Sequence, residues 1–87
     1  MKDWQKMIAV IRNLYSGAYH ITTEGNYCFM DSKFSPINIR IEKGSTDKHV
    51  IITSDSWIDA TGIGLFLTWL KENDYLYDYS RRWPMVK

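Results

Sequence analysis

The sequence predicts an α+β fold: one small domain with an antiparallel sheet of four or five strands packed against an N-terminal helix and a buried C-terminal helix. The expected order is α-β-β-β-β-α, with room for a short last strand. Three observations predict it. Trp4, Met7, Ile8, Ile11, Leu14 and Tyr15 recur with the period of an amphipathic helix. Ile37, Ile39 and Ile41 alternate with Asn38, Arg40 and Glu42, the period of a half-buried strand. The apolar run from His49 to Thr53 then feeds an Asp/Thr/Gly turn and an almost wholly apolar helix, Ile63 to Leu70.

The first helix is expected over 3–15, with Asp3 as its N-cap and Gly17 as its stop. Lys2, Gln5, Lys6, Arg12 and Asn13 take the wet face. Ala18 to Glu24 and Tyr27 to Met30 flank Gly25-Asn26, a pair that suits a type II′ or I′ hairpin turn. Such a turn sets Thr23 opposite Cys28, Ile21 opposite Met30 and His20 opposite Asp31. Tyr19, Ile21, Cys28 and Met30 then face the core, and His20, Thr22, Glu24, Tyr27, Phe29 and Asp31 face water. A loop one residue longer would exchange the two sets.

The polar stretch from Lys43 to Lys48 is turn chemistry before the central strand. The second helix is expected over 57–73, capped by Ser56 or Thr61, with Ile63, Phe66, Leu67 and Leu70 as its stripe. Gly62 and Gly64 cost roughly 1 kcal/mol each in helix propensity, which implies that the first turn approaches the sheet closely. Tyr75, Tyr77 and Tyr79 alternate with Leu76, Asp78 and Ser80, a candidate short strand, and residues 80–87 read as a tail.

Eighty-seven residues make one domain that buries roughly two-thirds of its unfolded surface. A single cysteine, Cys28, rules out an internal disulfide framework, so the expected setting is reducing and cytoplasmic. The early Arg12 and Asn13 interrupt any secretory signal, and no apolar run approaches the ~20 residues of a membrane span. Eleven basic and ten acidic side chains give a net charge of +1, which creates no long-range field for nucleic acid or anionic lipid.

Little catalytic chemistry is visible. His20 and Asp31 pair across the expected hairpin without an evident nucleophile, and His49 has no partner at metal-ligand spacing. Cys28 falls on the core face as a small hydrophobe. Gly62-Ile63-Gly64 lacks the third glycine and the lysine of a phosphate loop. The chain is therefore expected to be no enzyme and to use no cofactor or metal. What remains is adhesion. Tyr27 and Phe29 form one aromatic patch; Tyr75, Tyr77, Tyr79, Arg81, Arg82 and Trp83 form another, in the residue types of interface hot spots. The expected function is that of a small protein-binding regulator or inhibitor, of a kind common in phages and mobile elements; an apolar patch on the sheet's second face would be satisfied equally well by a homodimer. The aromatic-basic segment also fits single-stranded nucleic acid, a reading that the near-zero net charge disfavours.

Asp59-Ala60-Thr61-Gly62-Ile63-Gly64-Leu65-Phe66-Leu67 resembles the phosphorylation turn of STAS domains, the anti-sigma-factor antagonists, in which Ile-Asp-Ser-Ser-Gly-Leu-Gly leads from a strand into an apolar helix. The resemblance implies that Thr61 matches the hydroxyl residue phosphorylated by a partner kinase, and that Asp59 matches the family's aspartate. It covers about a dozen residues. The family's helix between its earlier strands has no counterpart in the loop from Lys43 to Lys48, and ordinary capping chemistry accounts for the same residues.

Overall fold

A computed structural model describes residues 2–81. In chain order the elements are α1 (Asp3–Tyr15), β1 (Tyr19–Glu24), β2 (Tyr27–Ser32), β3 (Asn38–Lys43), β4 (His49–Ser54), α2 (Ile58–Thr61), α3 (Gly64–Glu72) and β5 (Leu76–Arg81). One sheet runs in the order β1-β2-β3-β4-β5. The expected α+β architecture is present.

The hairpin forms in the expected register, with Thr23 opposite Cys28, Ile21 opposite Met30 and His20 opposite Asp31. Gly25 sits at φ 58°, the left-handed conformation that a type II′ turn requires at its first central position. The register turns Tyr19, Cys28, Met30, Ile39, Ile41, Val50 and Ile52 to one face, all of them buried. Met7, Ile11 and Tyr15 of α1 and Phe66, Leu67 and Leu70 of α3 close over that face with Ile63. Each such side chain contributes about 1.5–3 kcal/mol by leaving water. Both helices lie on one side of the sheet.

The antiparallel expectation holds for β1 to β4, whereas β5 runs parallel to β4, with Val50 opposite Tyr77 and Ile52 opposite Tyr79. The cause is the connection. A hairpin reverses the chain, but the helical crossover between Ser54 and Leu76 returns it to the starting end of β4. The sheet is therefore mixed, and the last strand is a full six residues that takes in Ser80 and Arg81 of the expected tail. Arg82 and Trp83 lie outside the described residues.

The helix expected over 57–73 is two pieces, broken at Gly62, which adopts φ 71°. A side chain at Gly62 or Gly64 would meet open space, so close approach to the sheet is not the reason for either glycine. Gly62 is there for its backbone angle. Close approach does explain Gly44, where an added Cβ would collide with the imidazole of His49. The expected caps also differ. Asp3 lies inside the first turn of α1 and accepts a hydrogen bond from the Tyr75 hydroxyl at 2.8 Å, while Lys2 is the N-cap. Trp57, not Ser56, precedes α2. The end of α3 is a Schellman closure: Tyr75 N–H donates to the Leu70 carbonyl, Asp74 N–H to that of Lys71, and Asp74 takes φ 62°.

Candidate protein-binding surface

Because the helices cover one side, the pleat sends every second strand residue to a face that no described helix covers. There the registers of β1, β2 and β3 put Tyr27 between Glu24 and Glu42, and Phe29 between Thr22 and Arg40. Directly opposed side chains in such rows have Cβ atoms about 4.5–5.5 Å apart, so Tyr27 carries a carboxylate on either flank. The Tyr27 and Phe29 rings stack at 5.9 Å with 12° between their planes. Tyr27 is 38% exposed and Phe29 half-buried. No ion pair among the described residues engages Glu24 or Glu42. The strand residues of this face include the carboxylates of Glu24, Asp31, Glu42 and Asp78, with Arg40 as the sole Lys or Arg. Carboxylates thus outnumber Lys and Arg among the strand residues of this face, although the chain carries +1.

The second aromatic segment turns the other way. Tyr75 is buried, with its ring stacked on Trp69 at 5.4 Å and the Lys48 ammonium 4.9 Å from its centroid. Tyr77 and Tyr79 pack half-buried against the core, and the Tyr79 hydroxyl donates to the Ser56 carbonyl at 3.1 Å. Tyr77 and Tyr79 each line a surface groove, and Arg81 joins Tyr79 in one of them. The Arg81 guanidinium lies over the Trp57 ring, 3.9 Å from its centroid, beside a groove of about 430 Å³ lined by Trp57, Ile58, Asp59, Tyr79 and Arg81. Trp57 is 65% exposed. Sequence reasoning missed Trp57; its signal was an aromatic residue off the Ile63/Phe66/Leu67/Leu70 stripe, in the polar company of Ser54, Asp55 and Ser56.

Thr61 lies at the break between α2 and α3 and is almost wholly buried. Its hydroxyl donates to the Ile58 carbonyl at 2.8 Å and accepts the Ile63 N–H at 3.1 Å. Tyr19 donates to the Thr61 carbonyl at 2.7 Å, and Tyr15 to that of Gly62 at 2.6 Å. Burial raises the pKa of both phenols above the usual value. In this conformation the hydroxyl is closed to a kinase. Cys28 is fully buried, and desolvation pushes its thiol up to about 11, which leaves no thiolate at neutral pH.

The histidines sit apart. His20 is in the edge strand β1, opposite Asp31. His49 Nε2 lies 2.8 Å from Asp78 Oδ2, beside a groove of about 380 Å³ that Ser45 and Thr46 also line. Among the described residues no hydroxyl is hydrogen-bonded to the His49 ring, so the pair lacks the third member of a nucleophilic relay. No group of three or more His, Cys, Asp or Glu among the described residues could hold a metal. No helix in that range is long and apolar enough to cross a membrane.

Comparison with protein-family models, curated proteins and solved structures gives no match. The functional reading therefore rests on this chain's own surface.

Proposed function

We propose that the protein is a non-enzymatic binding module, a small cytoplasmic regulator or inhibitor that docks a protein partner on the helix-free face of its sheet. The observation that carries this reading is the stack of exposed Tyr27, which lies between Glu24 and Glu42, on half-buried Phe29. Aromatic rings supply contact area at small entropic cost. Flanking carboxylates select a partner whose complementary patch is basic, and a guanidinium can lie on the ring while it pairs with either acid. The same carboxylates repel phosphates, so this face does not favour nucleic acid. Neither the STAS-like switch at Thr61 nor the nucleic-acid reading of the C-terminal segment gains a specific observation in its favour.

The test is capture of partner protein from native lysate with the wild type, Tyr27→Ala and the double variant Glu24→Gln/Glu42→Gln, followed by reconstitution from purified components. The reading expects a stoichiometric partner that both variants lose while circular dichroism shows the fold unchanged. A purified complex that both variants retain would remove this face from the function.

A further inference from the structure

We propose that the outer edge of β5 pairs with β5 of a second copy of this chain, antiparallel, with Tyr79 on the two-fold axis. Leu76 N–H donates to the Lys48 carbonyl at 2.7 Å. Main-chain groups alternate in direction along a strand, so Leu76, Asp78 and Ser80 turn theirs toward β4, and Tyr77 and Tyr79 turn theirs outward. No strand among the described residues pairs with that side.

The two edges of the sheet differ. Side chains of α1 reach the rim of β1: the Arg12 guanidinium lies 3.5 Å from Thr23 Oγ1, and the Trp4 indole N–H donates to the Gly25 carbonyl at 3.3 Å. Neither edge strand contains the lysine or proline that commonly blunts an edge, and β5, Leu-Tyr-Asp-Tyr-Ser-Arg, carries charge at Asp78 and Arg81. Beside it lies the groove with exposed Trp57 and Ile58, so an added strand gains side-chain burial as well as ladder hydrogen bonds.

The charges of the strand indicate its occupant and register. Outward-turned residues must face outward-turned residues, which leaves few two-fold arrangements. Centring on Asp78 opposes two carboxylates. Centring on Ser80 engages only Tyr79 to Arg81 of the described strand, and centring on Tyr77 engages only Leu76 to Asp78. Centring on Tyr79 sets Asp78 opposite Ser80 and Arg81 opposite the second copy's Tyr77, which brings that ring toward the Trp57–Arg81 stack. This register keeps like charges apart and places a cation against an aromatic ring, and a net charge of +1 adds little repulsion between copies. The product is a continuous ten-stranded sheet with its helix-free faces side by side.

Sedimentation equilibrium from micromolar to millimolar protein tests this, with Ser80→Asp and Asp78→Lys/Ser80→Asp beside the wild type. The pairing predicts a wild-type dimer, at least about tenfold weaker association for Ser80→Asp from two like-charge contacts, and recovery in the double variant. A wild type that stays monomeric overturns it, whether or not the edge then accepts an unrelated extended peptide. So does a dimer indifferent to Ser80→Asp, or one that the double variant fails to restore. Tyr27→Ala leaves this association unchanged, which separates it from the docking face.

Discussion

The Tyr15 hydroxyl is hydrogen-bonded at both ends of its reach: it donates to the Gly62 carbonyl at 2.6 Å and accepts the Phe66 N–H at 3.2 Å. One side chain at the end of α1 thereby satisfies the main chain on both sides of the α2–α3 break. Tyr19 does the same for the Thr61 carbonyl. The turn that resembles a regulatory phosphorylation site is held in this structure by the Tyr15 and Tyr19 hydroxyls.

Tyr15→Phe removes both bonds and leaves the buried Phe66 N–H without its acceptor. The expected loss is about 2 kcal/mol at neutral pH, read by urea denaturation. The folded state holds the Tyr15 proton more tightly than the unfolded chain does. Its contribution is therefore complete below the unfolded value near 10 and fades as pH rises through the higher folded value. The gap between wild type and Tyr15→Phe should narrow above pH 10. A gap that stays constant there would contradict the assignment.

Two neighbouring glycines should respond with opposite signs. Gly62→Ala forces a Cβ into φ 71° and costs about 1 kcal/mol or more. Gly64→Ala meets no atom and gains about 0.5–1 kcal/mol of helix propensity. Thermal denaturation of the two variants decides it, and destabilisation by Gly64→Ala would mean that α3 starts elsewhere.

Asp74 occupies the left-handed position of a Schellman closure that glycine fills at less strain. Asp74→Gly should stabilise the chain by about 0.5–1 kcal/mol. A lower melting temperature would show that the aspartate has a favourable role of its own.

Cys28 should resist alkylation. With the thiol pushed up to about 11 and fully buried, iodoacetamide labelling at mildly alkaline pH is expected to follow global opening and become rapid only in denaturant. Prompt labelling of the native protein would place Cys28 outside the core.

Much of this was legible in the sequence because periodicity reports which face is buried. The spacing of Met7, Ile11 and Tyr15 and the alternation of Ile39 and Ile41 locate the core, and Gly25-Asn26 sets the hairpin register that exposes Tyr27 and Phe29. What escaped depends on direction and backbone angle. Residues 63–70 are apolar enough to hide a helix break, because Gly62 acts through a positive φ that composition does not record. The alternation of Tyr75, Tyr77 and Tyr79 indicated a strand but not its side. Only the helical crossover makes β5 parallel and turns Tyr77 and Tyr79 to the core, and Tyr75 belongs to the helix closure instead. Trp57 is visible as an aromatic residue, but its stack with Arg81 joins residues far apart in the chain.

The most direct test of the account is the footprint of the captured partner, mapped by amide chemical-shift perturbation on the isotopically labelled protein. The account predicts that the largest changes fall on Glu24, Tyr27, Phe29, Arg40 and Glu42 of the helix-free face. A footprint on the exposed residues of α1 and α3, with those five unmoved, would contradict it.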